Sequence, residues 1–79
     1  MALTSDTLAR TVEFSIQQYL ARMEGHEVNN LYDLVLKEVE QPLLACIMQY
    51  TGNNQSKTAN LLGLNRGTLR QKLKKYGML

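Results

Sequence analysis

The sequence predicts an all-α fold of four helices, the last two arranged as a helix-turn-helix. Three observations carry that prediction. Apolar residues recur at helical spacing through two long stretches, 8–23 and 31–50. No stretch alternates apolar and polar residues as a half-buried strand does. Two short helical stretches flank Leu62-Gly63-Leu64-Asn65, a glycine-centred turn of the kind that joins the two helices of a helix-turn-helix.

Thr4 or Ser5 is expected to cap the first helix, over about 5–24, with Asp6 against the positive end of its dipole. Leu8, Val12, Ile16, Tyr19, Leu20 and Met23 form its apolar stripe. Gly25 ends it, where a left-handed residue closes a helix at least cost. After a polar link over 26–30, Asn30 caps a second helix over 31–50, with Asp33 three residues on as in a capping box. Leu31, Leu34, Val35, Val39, Leu43, Ile47 and Tyr50 make one stripe, and Leu36, Leu44 and Met48 lie off it. Such a helix is expected to be buried on several sides. Pro42 removes one backbone hydrogen bond and crowds the preceding turn, so a kink is expected there rather than two separate helices. Thr51 to Asn54 is a turn cluster. The third helix runs from about Gln55 to Leu62, with Ala59 and Leu62 on its apolar side and Leu61 beside them. Gly63 ends it, Asn65 caps a fourth helix over roughly Arg66 to Tyr76, and Leu69 and Leu73 face inward.

A chain of 79 residues makes one small domain, marginally stable by itself. Small scaffolds add disulfides, a metal or a partner subunit. Cys46 is the only cysteine, and with His26 the only soft ligand, where a structural zinc site wants four. No metal or other cofactor is expected, and oligomerisation remains as the source of extra core. No charged start followed by an apolar run marks a signal peptide, and no stretch approaches the ~20 apolar residues that cross a bilayer. With a single cysteine, this reads as a soluble cytoplasmic protein without a membrane partner. No phosphate loop, metal set or paired carboxylates suggest an enzyme.

The net charge of +2 hides a division. Residues 1–50 carry three Lys or Arg against seven Asp or Glu, a net of −4. Residues 51–79 carry Lys57, Arg66, Arg70, Lys72, Lys74 and Lys75 with no acid, a net of +6. The basic part is expected to meet a polyanion. Asn65, Arg66, Arg70 and Lys74 fall at about one-turn intervals along the fourth helix. Arginine suits bidentate bonding to guanine O6 and N7, and the start of a recognition helix points at base edges. Asn54, Ser56 and Thr68 are short polar groups near helix starts, where phosphates are held. Lys57, Lys72, Lys74 and Lys75 would neutralise phosphates. Ala59 fits the point where the two short helices pack closely, and Gly67 fits a close approach to the duplex. The last apolar place of the helix-turn-helix pattern falls at Lys72, with Leu73 beside it.

NNLYDLVLKEVEQPLL (29–44), MQYTGNNQSKTA (48–59) and LNRGTLRQKLKKYGM (64–78) resemble the Fis family, bacterial nucleoid-associated factors for inversion stimulation. The resemblance covers nearly the whole chain from about residue 8. It implies a homodimer whose first two helices intertwine over 1–50, and a DNA-binding region over 51–79. It implies base contacts from Asn65, Arg66 and Arg70, and backbone contacts from Asn54, Ser56, Lys57, Thr68, Lys72 and Lys74. It implies degenerate, AT-rich double-stranded sites that are bent and selected partly by minor-groove width. RNA polymerase or a recombinase is implied as a protein partner. Gln71 stands where a lysine is expected, which weakens one phosphate contact. The family touches its DNA invertase with a β-hairpin ahead of the first helix, and seven residues before Leu8 are too few for that hairpin.

The remaining residues read as follows. Cys46, Met23 and Met48 are expected in the core, and His26 in solvent. Tyr32 and Tyr50 are expected at the dimer interface, and Tyr76 is expected to pack the last helix onto the core. Asp33, Glu38 and Glu40 read as solvated helix positions. The competing reading is a helical interaction module whose basic end docks on an acidic protein.

Overall fold

The structure, a computed structural model, describes residues 5–79 and the side chains of 6–79. Four helices follow one another: α1 (Ser5–Arg22), α2 (Leu31–Tyr50), α3 (Gln55–Leu62) and α4 (Arg66–Lys75). There is no strand among the described residues. The cap expected from Thr4 or the Ser5 side chain lies outside them.

The chain divides into two compact units, one through Val35 and one from Leu36 to Leu79. In the first, α1 ends at Arg22, earlier than expected. Gly25, with φ +83°, sits in a following turn closed by the His26 N–H donating to the Met23 carbonyl at 2.8 Å. Its left-handed conformation is as expected, but it shapes this turn rather than capping the helix directly. Asn30 precedes α2 with φ +56°. A side-chain cap needs extended backbone at that position, so the expected capping box with Asp33 does not form. Asn30 contributes only its carbonyl, which accepts from Leu34 N–H at 3.1 Å.

The core belongs to the second unit. Leu44, Met48, Ala59, Leu69 and Leu73 are buried together, and Leu62, Leu64, Tyr76 and Met78 pack against them. Of α2 only Leu44 and Met48 are buried in this cluster, so α3 and α4 close over one side of α2 only. α2 runs unbroken through Pro42. Leu36, Val39, Leu43 and Tyr50 remain exposed, Tyr50 by 79%. Within the single chain α2 is thus covered on one side only, and its sequence supplies more apolar surface than α3 and α4 can cover. Cys46 is likewise exposed rather than in the core. Met23 is half-buried, and Met48 is buried as expected.

One buried polar residue escaped the sequence reading. Thr58 is fully buried, and its hydroxyl lies 2.7 Å from Thr51 Oγ1. The Thr51 hydroxyl donates to the carbonyls of Met48 and Asn54, at 3.2 and 3.3 Å. Its single proton serves one acceptor at a time, and either hydroxyl of the Thr51–Thr58 pair can be the donor between them. The pair ties the last turn of α2 to the first turn of α3, and no buried side-chain polar atom is left without a partner among the described residues. None of the described helices is long and apolar enough to cross a membrane.

Candidate nucleic-acid interface

Each short helix is set by its own ends. Asn54 stands in extended backbone ahead of α3, and its Oδ1 accepts from Lys57 N–H at 3.0 Å. At the other end Gly63 takes φ +72° and ψ +29°, a left-handed conformation that a β-carbon disfavours. The Leu64 N–H then donates to the Ala59 carbonyl at 2.9 Å, and Gly63 N–H to that of Asn60 at 3.2 Å. These are the paired bonds of a Schellman closure. They turn the chain so that α4 starts after two further residues. Ala59 is fully buried where the helices meet, and a larger side chain there would separate them.

α4 opens on Asn65, whose Oδ1 accepts from Gly67 N–H at 2.8 Å. A β-carbon added at Gly67 would lie 3.2 Å from that same oxygen. Gly67 therefore leaves room for the cap, a nearer reason than the approach to a duplex. The cap also decides what Asn65 can offer outward. With Oδ1 holding the Gly67 N–H, one oxygen lone pair and both Nδ2 protons remain, so Asn65 can still accept as well as donate. The same holds for Asn54.

Arg66, Arg70 and Lys74 are exposed at successive intervals of four residues along α4, and residues that far apart share a helix face. Ser56, Lys57 and Thr68 are exposed too. Leu69 and Leu73, on the adjoining face, are wholly buried. Leu73 thus takes the apolar place that the pattern put at Lys72. Lys75 sits with its ammonium 5.4 Å from the Tyr76 ring centre, within cation–π range.

Lys72 turns away from the exposed cations. Its Nζ donates to Glu40 Oε2 at 2.6 Å, and the Tyr76 hydroxyl donates to Glu40 Oε1 at 2.6 Å. Only 30% of the Lys72 side chain and 15% of the Glu40 side chain are exposed. The Lys72 and Tyr76 hydrogen bonds hold the Glu40 carboxyl below its ordinary value, against the burial that would raise it. The same carboxylate, with burial, pushes the Tyr76 hydroxyl up to about 12. Glu40 is therefore no solvated helix position, which corrects that expectation. The backbone contact expected from Lys72 starts from an ammonium already engaged. Tyr76 does pack on the core, as expected.

Sequence comparison places these features. A family model described as "Bacterial regulatory protein, Fis family" matches residues 35–76. The chain belongs to the Fis family. The match spans all the exposed cations of α3 and α4, both asparagine caps and Glu40. The family is one of regulatory proteins rather than enzymes. The chain is 59% identical over 76 residues to "DNA-binding protein Fis" of Aliivibrio fischeri (strain MJ11), covering 96% of this chain and 78% of that one. It is 58% identical over 76 residues to the Haemophilus influenzae (strain PittEE) protein of the same name, covering 96% and 77%. The Photobacterium profundum protein of that name is also 58% identical, with 96% and 78% covered.

Within the Fis family reading, the structure brings Asn65, Arg66, Arg70 and Lys74 onto α4, and Asn54, Ser56 and Lys57 onto the start of α3. Glu40 was missed because its partners lie 32 and 36 residues away in sequence. A signal was present: Lys72 and Tyr76 are four apart and share a side of α4, so that side meets an acceptor. Among the described residues no group of three or more His, Cys, Asp or Glu is placed to hold a metal ion.

Proposed function

We propose that the chain is a homodimeric, sequence-degenerate, AT-preferring DNA-binding and DNA-bending protein of the bacterial nucleoid, and a transcription regulator. The observation that carries this is the file of exposed cations on α4, with no carboxylate side chain anywhere in residues 51–79. α4 enters the major groove. Asn65, Arg66 and Arg70 face base edges, while Asn54, Ser56, Lys57, Thr68 and Lys74 hold the backbone on either side. The relatives' name, "DNA-binding protein Fis", supports the same partner.

The dimer rests on the apolar surface left open. Leu8, Phe14 and Leu20 on α1 are exposed by 44%, 62% and 43%, and Leu43 on α2 by 45%. A second copy would cover such side chains, with Tyr32 and Tyr50 at or near the contact and α2 bent at Pro42. Two recognition helices then grip one duplex, and spacing them along it demands a bend whose cost depends on sequence. RNA polymerase or a recombinase would meet such a complex as a further partner.

A gel-shift titration on an AT-rich and a GC-rich duplex of equal length, at several salt concentrations, tests the reading. Affinity that falls steeply with salt and favours the AT-rich duplex is expected. Equal affinity for both would reduce the protein to a nonspecific compactor, and no shift at low salt would remove DNA as the partner. Sedimentation equilibrium at micromolar concentration tests the dimer: a single species near the chain mass of 9.0 kDa would refute it.

A further inference from the structure

Five of the six basic side chains of residues 51–79 stand in the open on α3 and α4, and the sixth does not. Lys72 is half-buried, with its ammonium 2.6 Å from Glu40 Oε2. The carboxylate is itself fixed, since its other oxygen accepts from the Tyr76 hydroxyl at 2.6 Å. Glu40 is thereby held at both oxygens. It offers Lys72 what a phosphate would: an anionic oxygen at charge-assisted hydrogen-bond distance. An ammonium shared with a fixed carboxylate brings little net charge to a polyanion.

We propose that Glu40 is an internal competitor for Lys72, standing in for a DNA phosphate and withholding one cation per subunit from the duplex, so that it sets DNA affinity and its salt dependence. This rests on the DNA-binding reading above. Glu40 touches no DNA in this account; it acts through Lys72. Its carboxyl is held below the ordinary value, so the contact stands at neutral pH and acts as a constant restraint rather than a pH switch.

Salt dependence is the readout, because it counts the cations that meet phosphate and a merely structural role for Glu40 would not move it. Each phosphate neutralised adds about 0.9 to the slope of log affinity against log salt. Glu40→Gln keeps the shape of the side chain and can still accept from Tyr76, but releases Lys72. It is expected to bind an AT-rich duplex more tightly, with a slope steeper by about 0.9 per subunit. On that slope its advantage grows by a further factor of about 3.5 per subunit, about 12 for a dimer, for each fourfold fall in salt. Lys72→Met is expected to leave the parent slope nearly unchanged, whereas Lys74→Met lowers it by about 0.9 per subunit. In the Lys72→Met background, Glu40→Gln adds nothing to the slope. Glu38→Gln, an exposed acid on the same helix, controls for the general loss of negative charge and leaves the slope alone. Circular dichroism confirms that each variant is folded.

A folded Glu40→Gln with the parent slope overturns the proposal. So does a Lys72→Met that lowers the slope as much as Lys74→Met, which keeps the proposal testable if Glu40→Gln fails to fold. A parent protein that binds no DNA at any salt overturns the DNA reading and this inference with it, and is told apart from the other results by the first titration.

Discussion

Replacing Asn65 with aspartate separates the two jobs that one side chain holds in the proposed function. Its Oδ1 caps α4 by accepting from Gly67 N–H at 2.8 Å, in extended backbone with φ −66° and ψ 143°. Aspartate keeps that acceptor and puts a negative charge at the positive end of the helix dipole. Asn65→Asp is therefore expected to leave stability within about 0.5 kcal/mol of the parent, or to raise it. Asn65→Ala loses the cap, at about 1 kcal/mol, and a loss of that size lowers Tm by roughly 4–8 °C in a domain this small. DNA binding reverses the order. Aspartate has no Nδ2 donor and turns a carboxylate toward the duplex. Giving up one hydrogen-bonded base, at about 1–3 kcal/mol, raises Kd roughly 5- to 150-fold per subunit. The aspartate variant loses more than the alanine variant, because it adds repulsion to the missing donor. Thermal melts by circular dichroism, run beside gel-shift titrations on one duplex, give both orders. An Asn65→Asp protein that binds like the parent would show that Nδ2 meets neither base nor phosphate. One that melts as low as Asn65→Ala would show that Oδ1 is not the cap that matters.

Leu69, wholly buried in the cluster with Leu44, Ala59 and Leu73, is expected to cost about 2–5 kcal/mol when cut to alanine; urea unfolding with an unchanged midpoint would refute that core. The Glu40 network works at both ends of the pH scale. Glu40 is held below its ordinary 4.5, so the unfolded chain binds its proton more readily and stability falls as pH drops below about 4.5. Tyr76 is pushed up from 10.0 to about 12, so its contribution is present below pH 10 and is lost as pH rises between those values. Urea midpoints followed across pH test both signs, with Glu40→Gln flattening the acid limb and Tyr76→Phe the alkaline one. Arg70→Ala is expected to cost about 1–3 kcal/mol of affinity and to relax sequence preference, while Lys74→Ala weakens all duplexes alike; equal losses on every sequence from both would refute base reading by Arg70.

What the sequence made legible was local chemistry. Gly63 and Asn65 announce their roles because a cap or a left-handed turn is decided by a few neighbouring residues, whereas the Asn54 cap went unread in a residue taken for part of a turn and a phosphate contact. Asn30 looked like the same signal and was not, because an asparagine also tolerates φ above zero and the chain used it for that. Tertiary acceptors are harder. The i and i+4 placement of Lys72 and Tyr76 says that one side of α4 wants an anion, but Glu40 is indistinguishable in sequence from the exposed Glu38. Helix patterning has the matching limit. The apolar breadth of α2 says that several sides need covering, yet only Leu44 and Met48 are buried among its described residues. The rest of that pattern is what the proposed dimer would cover.

The atoms offered by α4 also bear on which sequences it can tolerate. Arg66 and Arg70 have no acceptor, and the cap occupies one of the two lone pairs of Asn65 Oδ1. The groups proposed to face bases are therefore mainly donors. In the major groove guanine offers N7 and O6, adenine N7 and thymine O4, whereas cytosine offers only its amino donor. A mainly donating reader tolerates three bases in varying degree and disfavours the fourth, which is a physical route to degenerate recognition. Cytosine on the contacted strand is expected to cost about 1–3 kcal/mol at each base position read, while exchanges between guanine and adenine cost less. Competition gel shifts with a panel of duplexes, each changed at one position, measure this directly. A position that prefers cytosine on the strand facing Asn65 would mean that the side chain accepts there, through the lone pair the cap leaves free, and would refute a mainly donating reader.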